Sequence, residues 1–514
     1  MSDKKKNRTG FEMNLGGTGQ KFSPQASIDD KQIDGDESDV FCIAVLGDFS
    51  GRDNKLRYDA RTLNKRKMLL VDRDNIEDVL ADFNIHLQLW LEDDADEPID
   101  IPITQLDDFH PDQLYKNVTV FGQLRDLHSR LNNNKTFAEA ARELQAWGAE
   151  GVDQAAANPQ TPAVDPGAAM STDNLLDAMF EASQQMQSDN DSASGSTMVD
   201  SLVRQIVAPY VQPKADPRQA EMVAAVEQAI SAHMQFILHH PDFQAMESAW
   251  RSLHFLVSRV ESGQLVKLYI LDVAKHELEI DLAEDNLTHT SLYQKFCDPA
   301  PGDVPWSLLV GNYSFTDRVE EIMTLLNVGA VARKAQAPFI TAANETLIGC
   351  ESFAVTPDVE DWHYYLKPEV ETAWSLLRDS DEAEYLAMVV PGFLLRAPYG
   401  RKSKPIDSFA FEEMPEVPCH SCYLWGNGAF IKAEQMIRAF IQSGWEMNPA
   451  EAGQVGQLPL HYYKDEGEMV AKPCAEIQLT EQGGRRIVAQ GLIPLWSVKN
   501  SNTIRSSEFN TLGL

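Results

Sequence analysis

The stretch WSLLVGNYSFTDRVEEIMTLLNVGAVARKAQAPFITAA, residues 306–343, decides the fold class. Trp306 to Phe315 is a short apolar run of the kind a buried strand presents, and APFITAA (337–343) is a second. Between them lies a helical period over 316–335, with Thr316 placed to cap it and Glu320 and Glu321 in its first turn. Strand, helix, strand with a crossover of this length requires parallel pairing, so the fold class is α/β.

Toward the N-terminus, a helix pair is expected from SLVRQIVAPYV (201–211) and RQAEMVAAVEQAISAHMQFILHH (218–240), followed by HHPDFQAMESAWRSLHFLVSRVE (239–261). In the last of these, Pro241 suits a first helical position, and Met246, Trp250, Leu253, Val257 and Val260 recur as one apolar stripe. The adjacent His239 and His240 resemble a metal pair only superficially. A metal would want ligands three or four residues on, and His254 lies well down the helix, so the pair reads as a helix start. LVKLYILDV (265–273) is a buried strand. Toward the C-terminus come a helix at 366–378, strand-like AMVVPGFLLR (387–396), a helix at 429–443 and a closing series of strands from Leu458 to Val498.

A second, smaller α/β region begins at VFCIAVLGDFSGR (40–52), an apolar strand entering a glycine-bounded turn. Lys67 to Val71 and His86 to Leu91 read as strands flanking a helix capped by Asp74. ITQLDDFHPDQL (103–114) enters a helix at Pro111, and a last helix spans 134–150. Residues 1–38 have the composition of a disordered tail, and 151–198 that of a flexible linker. The linker carries one amphipathic helical island at 174–186, NLLDAMFEASQQM. It is either a docking peptide or a helix that folds back on its own domain. The domains are therefore a tail (1–38), a small α/β region (39–150), the linker and a large α/β region (199–514).

Acidic residues number 78 against 44 basic ones, a formal charge of −34. That field repels nucleic acid and anionic membranes and favours a basic protein partner. No apolar run is long enough to span a bilayer, and the start of the chain lacks the apolar core of a secretory signal. Six scattered cysteines suit reduced thiols and a cytoplasmic protein. The Cys419–Cys422 CxxC has no second pair to complete a zinc site, and its flanks are not those of a thioredoxin-like unit. The glycines of NLGGTGQK (14–21) follow no strand and miss the phosphate-loop spacing. Without a nucleophile elbow, a zinc-protease helix or a kinase set, no enzyme, metal or cofactor is expected. RAPYGRKSKPIDSFAFEE (396–413) concentrates Arg396, Arg401, Lys402 and Lys404 in an acidic chain. It is either a solvated basic loop or a loop that pairs with an acidic surface of a neighbouring copy, for which the runs 92–100 and 35–38 are candidates.

Several blocks, in one order, carry a resemblance. PWSLLVGNYSF, APFITAA, RAPYGRKSKPIDSFAFEE, YLWGNGAF, GLIPLWSVKNSN and WRSLHFLVSRVE resemble the large subunit of the type VI secretion contractile sheath. FCIAVLGDFSGR, RKMLLVDRDNIEDVL and ITQLDDFHPDQL resemble the small subunit. The resemblance covers most of 40–505 and implies a small–large sheath fusion of two phage-tail-sheath-related α/β regions joined by the linker. It further implies a non-enzymatic, cofactor-free protein that polymerises around an inner tube and contracts. Its implied partners are other copies of itself or sheath paralogues, an inner-tube protein, baseplate proteins and an AAA+ disassembly ATPase. That ATPase grips a short helix near the start of the large subunit, so the implied handle is Leu175, Leu176, Met179 and Phe180. The family's large subunit runs on past the part matching GLIPLWSVKN, whereas this sequence ends at Leu514. The expectation is thus a large-subunit-like domain lacking the usual C-terminal extension. The alternative function is a non-polymerising sheath-like adaptor, cap or baseplate-associated regulator.

Overall fold

The computed structural model describes residues 40–90, 97–155, 218–260, 265–298, 305–415, 418–448, 453–465, 467–507 and 509–513. The island at 174–186 and the SLVRQIVAPYV segment lie outside them. In chain order the first elements are β1 (Phe41–Gly47), β2 (Leu69–Val71), α1 (Ile76–Phe83), β3 (Ile85–Leu89), β4 (Ile99–Ile103), α2 (Pro111–Asn117), α3 (Phe121–Asn132) and α4 (Phe137–Ala155). Then follow α5 (Gln219–His239), α6 (Pro241–Arg259), β5 (Val266–Asp272), α7 (Lys275–Leu282), α8 (Ser291–Cys297), β6 (Leu308–Phe315), α9 (Val319–Ala335), β7 (Phe339–Ala343), α10 (Pro368–Arg378) and β8 (Leu386–Val390). The remainder is β9 (Phe393–Leu394), β10 (Trp425–Gly426), α11 (Ala429–Ser443), β11 (Gln454–Val455), β12 (His461–Asp465), β13 (Glu468–Lys472), α12 (Glu481–Ala489), β14 (Ile493–Ser497) and β15 (Ile504–Ser506).

The chain divides into two units, one made of the residues before 123 together with those from 229 onward, the other of residues 123–228. The first holds a nine-stranded sheet in the order β11–β15–β14–β8–β7–β6–β1–β5–β2. The six strands from β14 to β5 are mutually parallel. The edge strands β2, β15 and β11 run antiparallel to their neighbours. The parallel order is that of a doubly wound sheet, reversing its direction of growth at β1. The expected unit β6–α9–β7 is present and parallel. Its helix begins at Val319 rather than beside Thr316, because the Glu321 carboxylate folds back to accept the Thr316 N–H at 2.7 Å and holds that residue outside the helix. Gly311 is required in β6, since a Cβ there would stand 2.3 Å from the Phe339 ring on β7.

The expectation of two separate α/β regions is corrected by β1 and β2. Residues 39–150 do not build a sheet of their own from these strands. β1 lies between β5 and β6, with Val45 opposite both Ile270 and Val310, and β2 closes the edge beyond β5. FCIAVLG is apolar at every position except its final glycine because both of its faces are covered. Ala44 and Leu46 pack into the core formed with α7, α8, α9 and α10. Phe41, on the opposite face, stacks 4.9 Å from Phe440 of α11. What the N-terminal segment builds for itself is the β3–β4 hairpin, in which Ile85, Leu87 and Leu89 alternate with His86 and Gln88.

Two further expectations are corrected near the C-terminus. The run 387–396 splits into β8 and β9, because Pro391 has no N–H to continue the ladder, and β9 leaves the sheet to pair with β10. The closing series of strands is interrupted by α12, capped by the Thr480 hydroxyl accepting the Gly483 N–H at 3.1 Å. Its paired glycines argue against a helix from propensity, but a Cβ at Gly484 would lie 2.1 Å from the Trp496 ring, so close packing on β14 selects them.

The stripe on α6 is core as expected, with Trp250 and Leu253 wholly buried. In the second unit, Arg130 Nη2 lies 2.7 Å from Glu143 across α3 and α4, and Gln219 donates to the Leu131 carbonyl at 2.7 Å.

A central strand contributed from so far away in sequence has a testable consequence. Residues 199–514 expressed alone expose the facing edges of β5 and β6 and are expected to aggregate. Co-expression with residues 1–155 is expected to restore a soluble complex, and size-exclusion co-elution of the two pieces reads the result.

Candidate functional site

Two polar clusters stand out among the described residues of the first unit. One sits at the carboxyl ends of β1 and β5. There the turn GDFSGR follows β1, with Gly51 at φ +74°. Asp272, the last residue of β5, organises this turn. Its Oδ1 accepts from the N–H groups of Phe49 (2.9 Å) and Ser50 (3.1 Å), and its Oδ2 from Ser50 Oγ (2.8 Å) and Arg52 Nε (2.6 Å). Glu277 on α7 is fully buried. It accepts from both terminal nitrogens of Arg66 (2.8 and 2.5 Å) and from the N–H groups of Asp59 (2.8 Å) and Ala274 (3.1 Å). Burial works against its charge, but these donors outweigh it and hold the carboxyl below its usual range. Burial wins at Asp48, where the carboxyl is pushed up to about 6 despite accepting the Arg52 and Asp53 N–H groups. Trp250 seals the turn from the other side, its indole donating to the Phe49 carbonyl at 3.0 Å.

In open parallel sheets the carboxyl ends beside the reversal point are where ligands bind. Here the charged groups of that region bind one another and the backbone, so they work as a clamp on the turn.

The second cluster sits under the 396–413 loop. Arg396 is 5% exposed, while Glu247 of α6 and Glu413 are wholly buried. The guanidinium is forked on both sides. Nε reaches Glu247 Oε1 at 2.9 Å, and Nη1 and Nη2 reach the two Glu413 oxygens at 2.8 and 2.9 Å. Arg251, one turn beyond Glu247, donates to it at 2.7 Å. Glu413 also accepts the Tyr399 N–H at 2.6 Å. The Tyr399 ring lies under Arg396 (4.5 Å) and Lys404 (4.9 Å), with His110 edge-on at 4.9 Å. The loop then reaches α2, where Asp112 accepts the N–H groups of Asp407 and Ser408. Three distant segments are thus fastened at one point.

The four basic residues singled out from the sequence therefore separate. Arg396 is not available to a neighbouring copy, a correction with a plain cause: both of its edges are taken by buried carboxylates. Arg401 and Lys402 are exposed, and Lys404 is half-buried on Tyr399. The handle residues Leu175, Leu176, Met179 and Phe180 lie outside the described residues. His240 caps α6 as expected, its Nδ1 accepting the Asp242 N–H at 3.2 Å. His239 is set back beside Glu413, 3.8 Å away. Cys419 and Cys422 form a disulfide across a tight turn with Cα atoms 5.4 Å apart, where the sequence suggested thiols. Among the described residues, no group of three or more His, Cys, Asp or Glu side chains is placed to hold a metal.

Sequence reasoning missed the partners Glu247, Glu413, Asp272 and Glu277. One signal was present. Glu247 is four residues after Phe243 and three before Trp250, so it lies on the buried face of α6, where a charge demands a partner.

The fold and clusters define a doubly wound α/β protein whose buried charges serve as internal clamps. Residues 220–511 match the family described as VipB: EvpB/VC_A0108, tail sheath N-terminal domain. Residues 32–150 match the one described as Type VI secretion system, VipA, VC_A0107 or Hcp2. The first match spans more than half of the sequence, and the chain belongs to the tail sheath N-terminal domain family, here fused to a VipA-type segment. The type VI secretion system sheath protein TssC1 of Pseudomonas aeruginosa is 31% identical over 291 residues, covering 55% of this chain and 58% of that protein. The chain thus spans less than two thirds of that relative's length.

Two outcomes are expected. Arg396→Met leaves Glu413 buried without its guanidinium and Glu247 with Arg251 alone, and should cost about 3–5 kcal/mol, read as a shift of the urea midpoint. Asp48 has a folded pKa near 6 against an ordinary 3.8, so its protonated form is favoured in the folded state. Its contribution to stability is complete below pH 3.8 and is lost as pH rises through about 6. Asp48→Asn should therefore flatten the fall in stability between those two pH values, compared by denaturation at each.

Proposed function

We propose that the chain is a structural component of a type VI secretion contractile sheath, polymerising around an inner tube and contracting to drive effector delivery. The observation that carries this reading is the shared sheet. The VipA-type and VipB-type segments meet as β1 between β5 and β6, so both contribute strands to one sheet. The clamps support it physically. A subunit that moves as a body during contraction must transmit force without yielding, and buried fork-shaped ion pairs tie its segments together.

In this reading the chain works in the cytoplasm without cofactor or catalytic activity. No helix among the described residues is long and apolar enough to cross a membrane. Its partners are further copies or sheath paralogues, the inner-tube protein, baseplate proteins and an AAA+ disassembly ATPase. The ATPase grips Leu175, Leu176, Met179 and Phe180, whose helical spacing puts them on one apolar face.

Negative-stain electron microscopy of the purified chain, alone and with the products of its genomic neighbours, tests the proposal. Tubes or rings are expected. Only monomers or small oligomers under both conditions would replace it with a non-polymerising adaptor of the same fold.

A further inference from the structure

Arg401 and Lys402 are exposed on a loop that is held from below. The Glu413 N–H donates to the Tyr399 carbonyl while its carboxylate accepts the Tyr399 N–H and grips Arg396, and Asp112 fixes the far end. Neither Arg401 nor Lys402 makes an ion pair among the described residues. The Glu412 carboxylate accepts the Arg401 backbone N–H at 3.1 Å instead. Lys404 stands over the Tyr399 ring, and burial together with Arg251 and Arg396 holds its pKa below the ordinary range. Tyr399 is 1% exposed, and its hydroxyl has no hydrogen-bond partner among the described residues. Arg401 and Lys402 are thus two exposed cations on a loop held in place from below, in a chain of net charge −34, with Glu247 already shared between two arginines.

We infer that this loop is the docking site for an acidic segment of a second copy of the chain, residues 90–100, WLEDDADEPID. The segment joins β3 to β4, whose last pairing is Leu89 with Ile99. It concentrates Glu92, Asp93, Asp94, Asp96 and Glu97 beside Trp90, which is half exposed. Aromatic and acidic groups in one short run suit a surface of arginine and lysine through cation–π contact as well as charge. Within one protomer the segment leaves the hairpin at the end away from this loop. The Ile103 end of β4 leads to His110, which touches Tyr399, whereas the acidic segment starts from the opposite end, roughly 13 Å away for a strand of this length. The inference rests on the sheath reading and deepens it by naming a contact between subunits.

The test uses the full chain and a fluorescently labelled peptide of residues 90–100, read by anisotropy. Saturable binding is expected, weakening at least tenfold between 50 and 300 mM salt and by a similar factor in Arg401→Glu/Lys402→Glu, whose melting temperature should not change. No binding, or binding untouched by the double reversal, overturns the inference. Equal affinity for a scrambled peptide of the same charge overturns the commitment to this segment. In full chains, Asp93→Lys/Asp94→Lys mixed with the double reversal is expected to restore any association that either variant loses, and failure of that rescue counts against a second copy as the partner. Because peptide binding needs no polymer, a chain that binds the peptide but forms no tubes sinks the sheath reading alone. Tubes without peptide binding sink the docking inference alone.

Discussion

Phe41 to Gly47 pairs residue for residue with Val266 to Asp272 on one side, and with β6 on the other. Everything else in the first unit depends on this parallel pairing. Without β1 the sheet has a gap at its centre, and the helices on the two faces lose the surface they share. The order of growth also reverses there, because β5 lies on one side of β1 and β6 to β8 on the other. Parallel strands need long connections, and this one brings together segments separated by more than two hundred residues. A fused chain holds both halves at high effective concentration, a kinetic advantage for a pairing whose loop-closure entropy is large.

The clamps protect that pairing at its ends. Asp272 binds the turn that leaves β1 through four donors, and Glu277 gathers Arg66 and two backbone groups beneath it. On α6, Trp250 and Glu247 face different segments from one buried helix. Trp250 holds the Phe49 carbonyl, and Glu247 holds Arg396. A single helix therefore couples the β1 turn to the 396–413 loop. Buried ion pairs of this kind add little net stability against apolar replacements, because desolvation offsets their attraction. Their geometry is directional, so they join particular segments in one arrangement.

The same economy of charge shapes the surface. Arg396 is drawn inward by two carboxylates, which anchors the loop, while Arg401 and Lys402 remain exposed. Holding exposed charge on a fixed loop lowers the entropy lost when it meets a charged partner.

Local chemistry was legible in the residues. The 306–343 period requires a parallel α/β unit, the α6 stripe is core, Pro111 and Pro241 begin helices, and His240 caps one. The order of the quoted blocks also carried the family. Each of these follows from neighbours in the chain or from short spacings. What the residues alone could not show was long-range. FCIAVLG reads as a strand but does not name its partners, because backbone hydrogen bonds carry no sequence identity. Arg396 reads as surface charge until Glu247 and Glu413, from a distant helix and the far end of its own loop, close on both edges. The helix at Glu481–Ala489 was likewise decided by what packs against it, since a glycine disfavoured by propensity becomes obligatory beneath Trp496. Sequence determined the elements and their class. Tertiary structure decided which strands share a sheet and which charges reach solvent, because both depend on contacts between segments far apart in the chain.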